Sequence, residues 1–189
     1  MARAVGELQR IVLTYEDYLR LPNDGKRYEI LEGEIVVSPS PVTKHQRISR
    51  NLLAILHHHV AQHKLGEVFS APTDVVLSRT NVVQPDLFFV SHARQKIITE
   101  KNIQGAPDLV VEILSDTSEE QDRVAKKQIY ARHGVKEYWL IDPDRETLEV
   151  YKLDAKARAF KHVATYQSDE TVRSTLLPNL EITLAELWE

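Results

Sequence analysis

Two carboxylates sit inside apolar runs of this chain. Asp86 falls in Gln84-Pro85-Asp86-Leu87-Phe88-Phe89-Val90, and Glu112 in Asp108-Leu109-Val110-Val111-Glu112-Ile113-Leu114. Both runs read as buried strands, where an ionised carboxylate costs several kcal/mol unless a cation or hydrogen bonds compensate it. On neighbouring strands the two acids would repel by ~4 kcal/mol at ~4 Å and an effective dielectric of ~20. A divalent metal is the usual counter-charge for such a pair, and Lys126 on a following helix is another. Two acids on Mg²⁺ with a lysine beside them suit phosphodiester hydrolysis. The metal neutralises phosphate, lowers the pKa of bound water and stabilises charge on the leaving oxygen. The lysine orients the water or stabilises the phosphorane-like state. The residues alone leave a second reading open: acids at strand ends commonly cap loops or pair with surface Arg and Lys, and most helical lysines are solvated.

The elements that must position these groups follow from periodicity. Side chains alternate along a strand, so Asp108, Val110, Glu112 and Leu114 share one face, and Asp86 shares a face with Phe88. Ser118-Glu119-Glu120-Gln121 predicts a capped helix from about 119 to 133, closed by Gly134. On it Asp122, Lys126 and Tyr130 stand at i, i+4 and i+8, close to one face. The order strand, helix, strand from 108 to 142 predicts a parallel crossover, with 137–142 as the second buried strand. Upstream, Thr14-Tyr15-Glu16-Asp17 predicts a short capped helix. The run from Tyr28 to Val37 predicts a hairpin turning at Glu32-Gly33. Thr43-Lys44-His45-Gln46 has a capping-box pattern for a long helix, whose buried face is Ile48, Leu52, Ile55, Leu56 and Val60 and whose stop is Gly66. Further strands are predicted near 67–69, 74–77 and 84–90, with outer strands at 148–153, 160–166 and 180–183. A short helix is expected around 93–99, and the tail from 184 is expected to form a helical turn packing Leu187 and Trp188.

Composition sets the limits. The 189 residues suit one domain over 13–189 after a tail at 1–12, with ordinary apolar (42%) and charged (28%) fractions. No window approaches the ~18 apolar residues of a membrane span, and the first residues lack a signal core. With no cysteine, disulfides and thiolate metal sites are excluded, which fits a cytoplasmic protein. The net charge of −4 carries no global basic footprint for nucleic acid, so any DNA binding has to be local or assisted by an oligomer.

At these residues the chain resembles the PD-(D/E)xK nuclease superfamily, most closely the bacterial family labelled "putative restriction endonuclease", over about 13–188. Pro85-Asp86 matches the PD element. Glu112-Ile113-Leu114 matches (D/E)xK with Leu114 in the lysine's place, and Lys126, in Lys126-x-x-x-Tyr130, fits the family's lysine from the next helix. Tyr28-Glu29-Ile30-Leu31-Glu32-Gly33-Glu34, Ser38-Pro39 before His45, Gly105-Ala106-Pro107-Asp108, and the stretch from Gly134 to Asp142 are also family-like. The resemblance implies an α/β (α+β) fold: a restriction-endonuclease-like mixed β-sheet flanked by helices, with an N-terminal hairpin and long helix. It implies Asp86, Glu112 and the carbonyl of Ile113 as ligands of Mg²⁺ or Mn²⁺, with Glu29 and Lys126 completing the catalytic set. His45 and Tyr130 are the expected substrate contacts. The implied partner is double-stranded DNA, and a homodimer suits cutting both strands.

Alternatives accompany several of these residues. Glu29 reads equally as a solvated hairpin acid, and His45 as a polar residue of a capped first turn. His57, His58, His59 and His63 read as partly exposed helix residues without an acid to complete a metal site. Tyr138 and Trp139 are expected in the core, and Asp142-Pro143-Asp144 as a strand-ending turn. Two rival functions stay open: an idle nuclease-fold module that binds DNA or a protein, and a metal-dependent phosphohydrolase acting on RNA or nucleotides.

Overall fold

The computed structural model describes residues 11–189; the tail expected at 1–12 lies, for residues 1–10, outside the described residues. Helix α1 (Tyr15–Tyr18) is short, and Asp17 Oδ2 reaches back to accept from the Thr14 amide at 3.0 Å and its hydroxyl at 2.8 Å, as the capping pattern predicts. Strands β1 (Arg27–Leu31) and β2 (Glu34–Ser38) pair antiparallel with Leu31 opposite Glu34. That register needs a two-residue turn with both φ positive. Glu32 (φ 54°) and Gly33 (φ 80°) supply it.

Helix α2 (Thr43–Gln62) is the long helix, but its N-cap is Val42, and no side chain caps it. The expected box at Thr43 fails because Thr43 is already helical, so its hydroxyl is one residue too late. The helix also ends before Gly66, which instead opens β3 (Gly66–Ser70). A Cβ on Gly66 would lie 2.1 Å from the Val90 carbonyl oxygen, so only glycine admits the neighbouring strand there.

Beyond β3 come β4 (Val75–Ser78), β5 (Asn81–Val83), β6 (Leu87–Ser91), a 3-10 turn over His92–Ile97, β7 (Ile103–Gln104) and β8 (Leu109–Ile113). The run predicted as one strand over 84–90 is therefore divided. Gln84-Pro85-Asp86 carries the chain from a five-stranded sheet, ordered β2-β1-β5-β4-β7, into a six-stranded one. Pro85 has no N–H for a ladder, and the Gln84 amide donates instead to Glu29 Oε1 at 2.8 Å. Asp86 consequently stands at the mouth of β6 rather than within it.

The six-stranded sheet also takes β9 (Glu137–Asp142), β10 (Thr147–Asp154) and β11 (Ala159–Tyr166), in the order β11-β10-β9-β8-β6-β3. Strands β8 and β9 run parallel, joined by the predicted crossover helix, and β6 is antiparallel to β8. The crossover ends in α3 (Lys127–His133) and is closed by Gly134 at φ 88°. Its preceding turn, Gln121–Lys126, is a π-helix rather than the regular helix expected. The Tyr138 hydroxyl donates to the Asp122 carbonyl at 3.0 Å, a side-chain insertion of the kind that widens a turn. Strands β12 (Thr171–Arg173) and β13 (Glu181–Thr183) form a small separate pair, and a 3-10 turn at Leu184–Leu187 buries Leu187.

One face of the six-stranded sheet packs Leu87, Phe89, Val111 and Ile113 against Ile48, Leu52 and Leu56 of α2, with Trp139 beneath. The other face packs Phe88, Val110 and Leu140 against Ile129 and Tyr130 of α3, together with Tyr138. Covered on both sides, β8 is buried at every position, as its continuous apolar run requires. Among the described residues no helix is long and apolar enough to cross a membrane.

Candidate active site

The pairing of β6 with β8 puts Leu87 opposite Val111 and Phe88 opposite Val110. One step further out, Asp86 faces Glu112, and side chains directly opposite in an antiparallel pair share a face. The two residues come together: the Asp86 backbone amide donates to Glu112 Oε2 at 3.3 Å. They border a cleft of about 480 Å³ lined also by Arg27, Lys44, His45, the 113–119 loop, Gln121, Asp122, Lys126 and the 142–144 turn.

Behind Glu112 the crossover helix supplies a cation. Lys126 Nζ lies 3.3 Å from Glu112 Oε1, 3.0 Å from Glu29 Oε2 and 3.3 Å from Asp122 Oδ1. The Tyr130 hydroxyl donates to Glu112 Oε1 at 2.6 Å. Glu29 is buried, so it is not the solvated hairpin acid that one reading allowed. Tyr130 is fully buried behind Glu112 and outside the cleft lining, so its contact is with the carboxylate rather than with anything in the cleft. His45, in the first turn of α2, sets Nε2 3.1 Å from Asp86 Oδ2, and that oxygen also accepts from the Ile113 amide at 2.9 Å.

Electrostatics set the protonation of the pair. Burial drives the Glu112 carboxyl up to about 8, and Asp122, Asp86 and Glu29 push the same way against the opposing charge of Lys126. Burial likewise raises Asp122. Burial would raise Asp86 too, but its His45 hydrogen bond and the charges of His45 and Arg27 outweigh it and hold the group below the ordinary aspartate value. Burial of the Lys126 ammonium is outweighed by Glu112, Glu29 and Asp122, which hold it well above an ordinary lysine. Fully ionised, Glu29, Asp86, Glu112 and Asp122 exceed Lys126 and Arg27 by two negative charges.

This donor set fits a hard divalent cation. It offers oxygen donors, and its four carboxylates outnumber its two permanent cations. Asp86 Oδ1 and Glu112 Oε2 each carry one long contact, at 3.4 and 3.3 Å, so each retains a lone pair. The Ile113 amide points at Asp86 while the Leu114 amide bonds the Ile141 carbonyl of β9. Amide and carbonyl of one strand residue face the same edge, so the Ile113 carbonyl lies on the Asp86 side. Among the described residues no three His, Cys, Asp or Glu side chains form a ready-made metal cage, so a third protein oxygen would have to come from the backbone.

Of the histidines, His59 is buried rather than partly exposed, with Nε2 3.1 Å from the Pro178 carbonyl oxygen and its ring tilted against that of His63 at 4.5 Å between centroids. The sequence reading gave no site role to two members of the site. Asp122 was visible as the i−4 neighbour of Lys126. Arg27, which reaches Asp86 at 3.4 Å and the Gln84 carbonyl at 2.5 Å, gave no signal beyond lying two residues before Glu29 on the same strand face.

The fold has a solved counterpart. A crystal structure of a "putative nuclease belonging to DUF820" from Anabaena variabilis ATCC 29413 matches with a TM-score of 0.76 at 23% identity, covering 93% of this chain and 97% of that one. No curated protein matches the chain. A family model described as "Uma2: Putative restriction endonuclease" matches residues 15–185, a span that contains every site residue described above. The chain belongs to the Uma2 family of nuclease-like proteins.

Proposed function

We propose that this protein is a divalent-cation-dependent endonuclease that hydrolyses phosphodiester bonds of double-stranded DNA in the cytoplasm, using Mg²⁺ with Mn²⁺ as a substitute. The observation that carries the reading is the approach of Asp86 and Glu112 beside an open cleft, in a cluster of four carboxylates against the two permanent cations Lys126 and Arg27. Asp86, Glu112 and the Ile113 carbonyl would hold the ion, which when bound supplies water activation and neutralises phosphate charge.

The remaining roles belong to the chain itself. Tyr130 and Lys126 hold Glu112 Oε1 from behind and fix the direction of Oε2. Lys126, kept protonated by three acids, acts as a hydrogen-bond donor and fixed positive charge, not as a base. Glu29 and Asp122 position that ammonium. His45, on the cleft wall, orients Asp86 and is available to a phosphate oxygen. Residues 13–189 form the domain that acts, and a two-fold homodimer would match the two strands of a duplex.

Plasmid DNA incubated with Mg²⁺ or Mn²⁺ tests the proposal: wild type nicks or linearises it, and Asp86→Ala and Glu112→Ala do not. Equal cleavage by wild type and Asp86→Ala would refute it. RNA and nucleotides run in parallel separate DNA hydrolysis from a different phosphohydrolase. A second reading, a nuclease-fold module that binds without cutting, is favoured by the existing contacts on every Asp86 and Glu112 oxygen. Calorimetry showing no Mg²⁺ or Mn²⁺ binding at millimolar concentration would select it.

A further inference from the structure

Arg27 lies on the cleft wall, and the reading above gives it no task. Strand β1 carries it two residues before Glu29, so alternation turns both side chains toward the same cluster. Its side chain is 22% exposed, so it is largely buried while bordering the open cleft. Nη2 is anchored on the Gln84 carbonyl at 2.5 Å. Nη1 reaches Asp86 Oδ1 only at 3.4 Å, well beyond the roughly 2.7–2.9 Å of a strong charge-assisted bond. Nε is buried and has no acceptor among the described residues. A guanidinium has five N–H donors, and most of this one's are without an acceptor.

A counter-ion serving Asp86 alone would close on it at short range with two parallel bonds. This fork is instead fastened at one corner and loosely held at the other. A planar, permanently charged guanidinium held in this way can turn its loosely bound Nη1 to a phosphate oxygen.

We propose that Arg27 contacts a backbone phosphate of nucleic acid bound in the cleft, its Nη1 leaving Asp86 Oδ1 for a phosphate oxygen while Nη2 stays on Gln84. The assignment rests on the nuclease reading and adds a substrate contact to it. Releasing Asp86 Oδ1 also exposes the carboxylate oxygen that the metal reading requires, so Arg27 and a cation compete for one atom in the free protein and cease to compete in the complex.

The test uses a fluorescently labelled DNA duplex, with Ca²⁺ replacing Mg²⁺ to block cleavage, and binding followed by anisotropy over a range of KCl concentrations. Arg27→Gln should weaken binding about tenfold or more. It should also reduce the slope of log affinity against log salt by ~0.9, the value of one lost phosphate contact on B-DNA. Arg27→Lys should keep the slope while losing severalfold affinity, because it keeps the charge but not the fork. Calorimetry on the free proteins should show Mn²⁺ binding to Arg27→Gln as tight as or tighter than to wild type. A counter-ion role alone would also tighten Mn²⁺ binding but leave the salt slope unchanged, and an unchanged slope overturns the proposal. Full affinity in Arg27→Lys also overturns it, and this arm stands even where Arg27→Gln does not fold. Failure of the wild type to bind the duplex would instead sink the nuclease reading itself.

Discussion

Replacing Lys126 by Met tests the electrostatic account of the site without invoking any ligand. Met keeps the length and apolar stem of lysine and removes only the charge. In the native structure that charge lies 3.0–3.3 Å from Glu29, Glu112 and Asp122. At an effective dielectric of ~20 each contact is worth about 5 kcal/mol gross, before the several kcal/mol of ammonium desolvation is set against them. The net loss has an upper bound, because a stranded carboxylate can take up a proton instead of staying charged. Burial already favours the neutral form of Glu112, up to about 8. Without Lys126 one further acid must be protonated in the folded state. Against an unfolded pKa near 4.2, holding that proton costs about 5 kcal/mol at pH 8 and about 2 kcal/mol at pH 5.5. The sign follows from linkage: the folded variant binds more protons than the unfolded chain, so its stability falls as pH rises above about 4, by ~1.4 kcal/mol per unit for that proton. Urea unfolding followed by the fluorescence of buried Trp139 reads the difference at the two pH values. A variant unfolded at pH 8 yet folded at pH 5.5 satisfies the expectation. An equal penalty at both pH values, or one below ~1 kcal/mol at pH 8, would show that Lys126 does not neutralise the cluster.

Three further outcomes are expected. Tyr130→Phe leaves Glu112 Oε1 without its 2.6 Å donor and should destabilise the fold by about 1–3 kcal/mol while slowing any cleavage, read by urea midpoint and plasmid assay together. Gly66→Ala drives a Cβ to 2.1 Å from the Val90 carbonyl at a φ of 154°, so β3 must shift from β6, and the melting temperature should fall by an amount matching ~2 kcal/mol or more. At the far end of β8, burial would raise Asp108, but Lys136 and the Ser91 amide outweigh it and hold its pKa low. Its stabilisation is full above the unfolded value of about 3.9 and is lost as pH falls through the lower folded value. Asp108→Asn should therefore be less stable at pH 6 and show a flatter decline between pH 4 and pH 2 in urea titrations.

Much of the architecture was legible because it depends on neighbours a few residues apart. Apolar runs marked β8 and β9, spacing marked the buried stripe of α2, Glu32-Gly33 marked the hairpin turn and Gly134 the helix stop. The same short-range rules set Asp122, Lys126 and Tyr130 on one helix face, and the ammonium does reach Glu112. They failed at element ends and irregularities: Val42 rather than Thr43 is the N-cap of α2, Pro85 divides the predicted strand, and Tyr138, from the next strand, bonds into the widened turn before α3.

By itself the sequence determined which residues could take part: two acids within apolar runs, each confined by alternation to one face, and a lysine one helix away. It could not determine that Asp86 opposes Glu112. That depends on the register of β6 on β8, and a slip of one residue would turn every side chain to the other face. The register is chosen by burying both faces at once, against α2 on one side and α3 on the other. The arrival of Glu29 and Arg27, 55 and 59 positions from their partners Gln84 and Asp86, was likewise decided by tertiary structure, because only the junction of the two sheets brings β1 alongside Gln84-Pro85-Asp86.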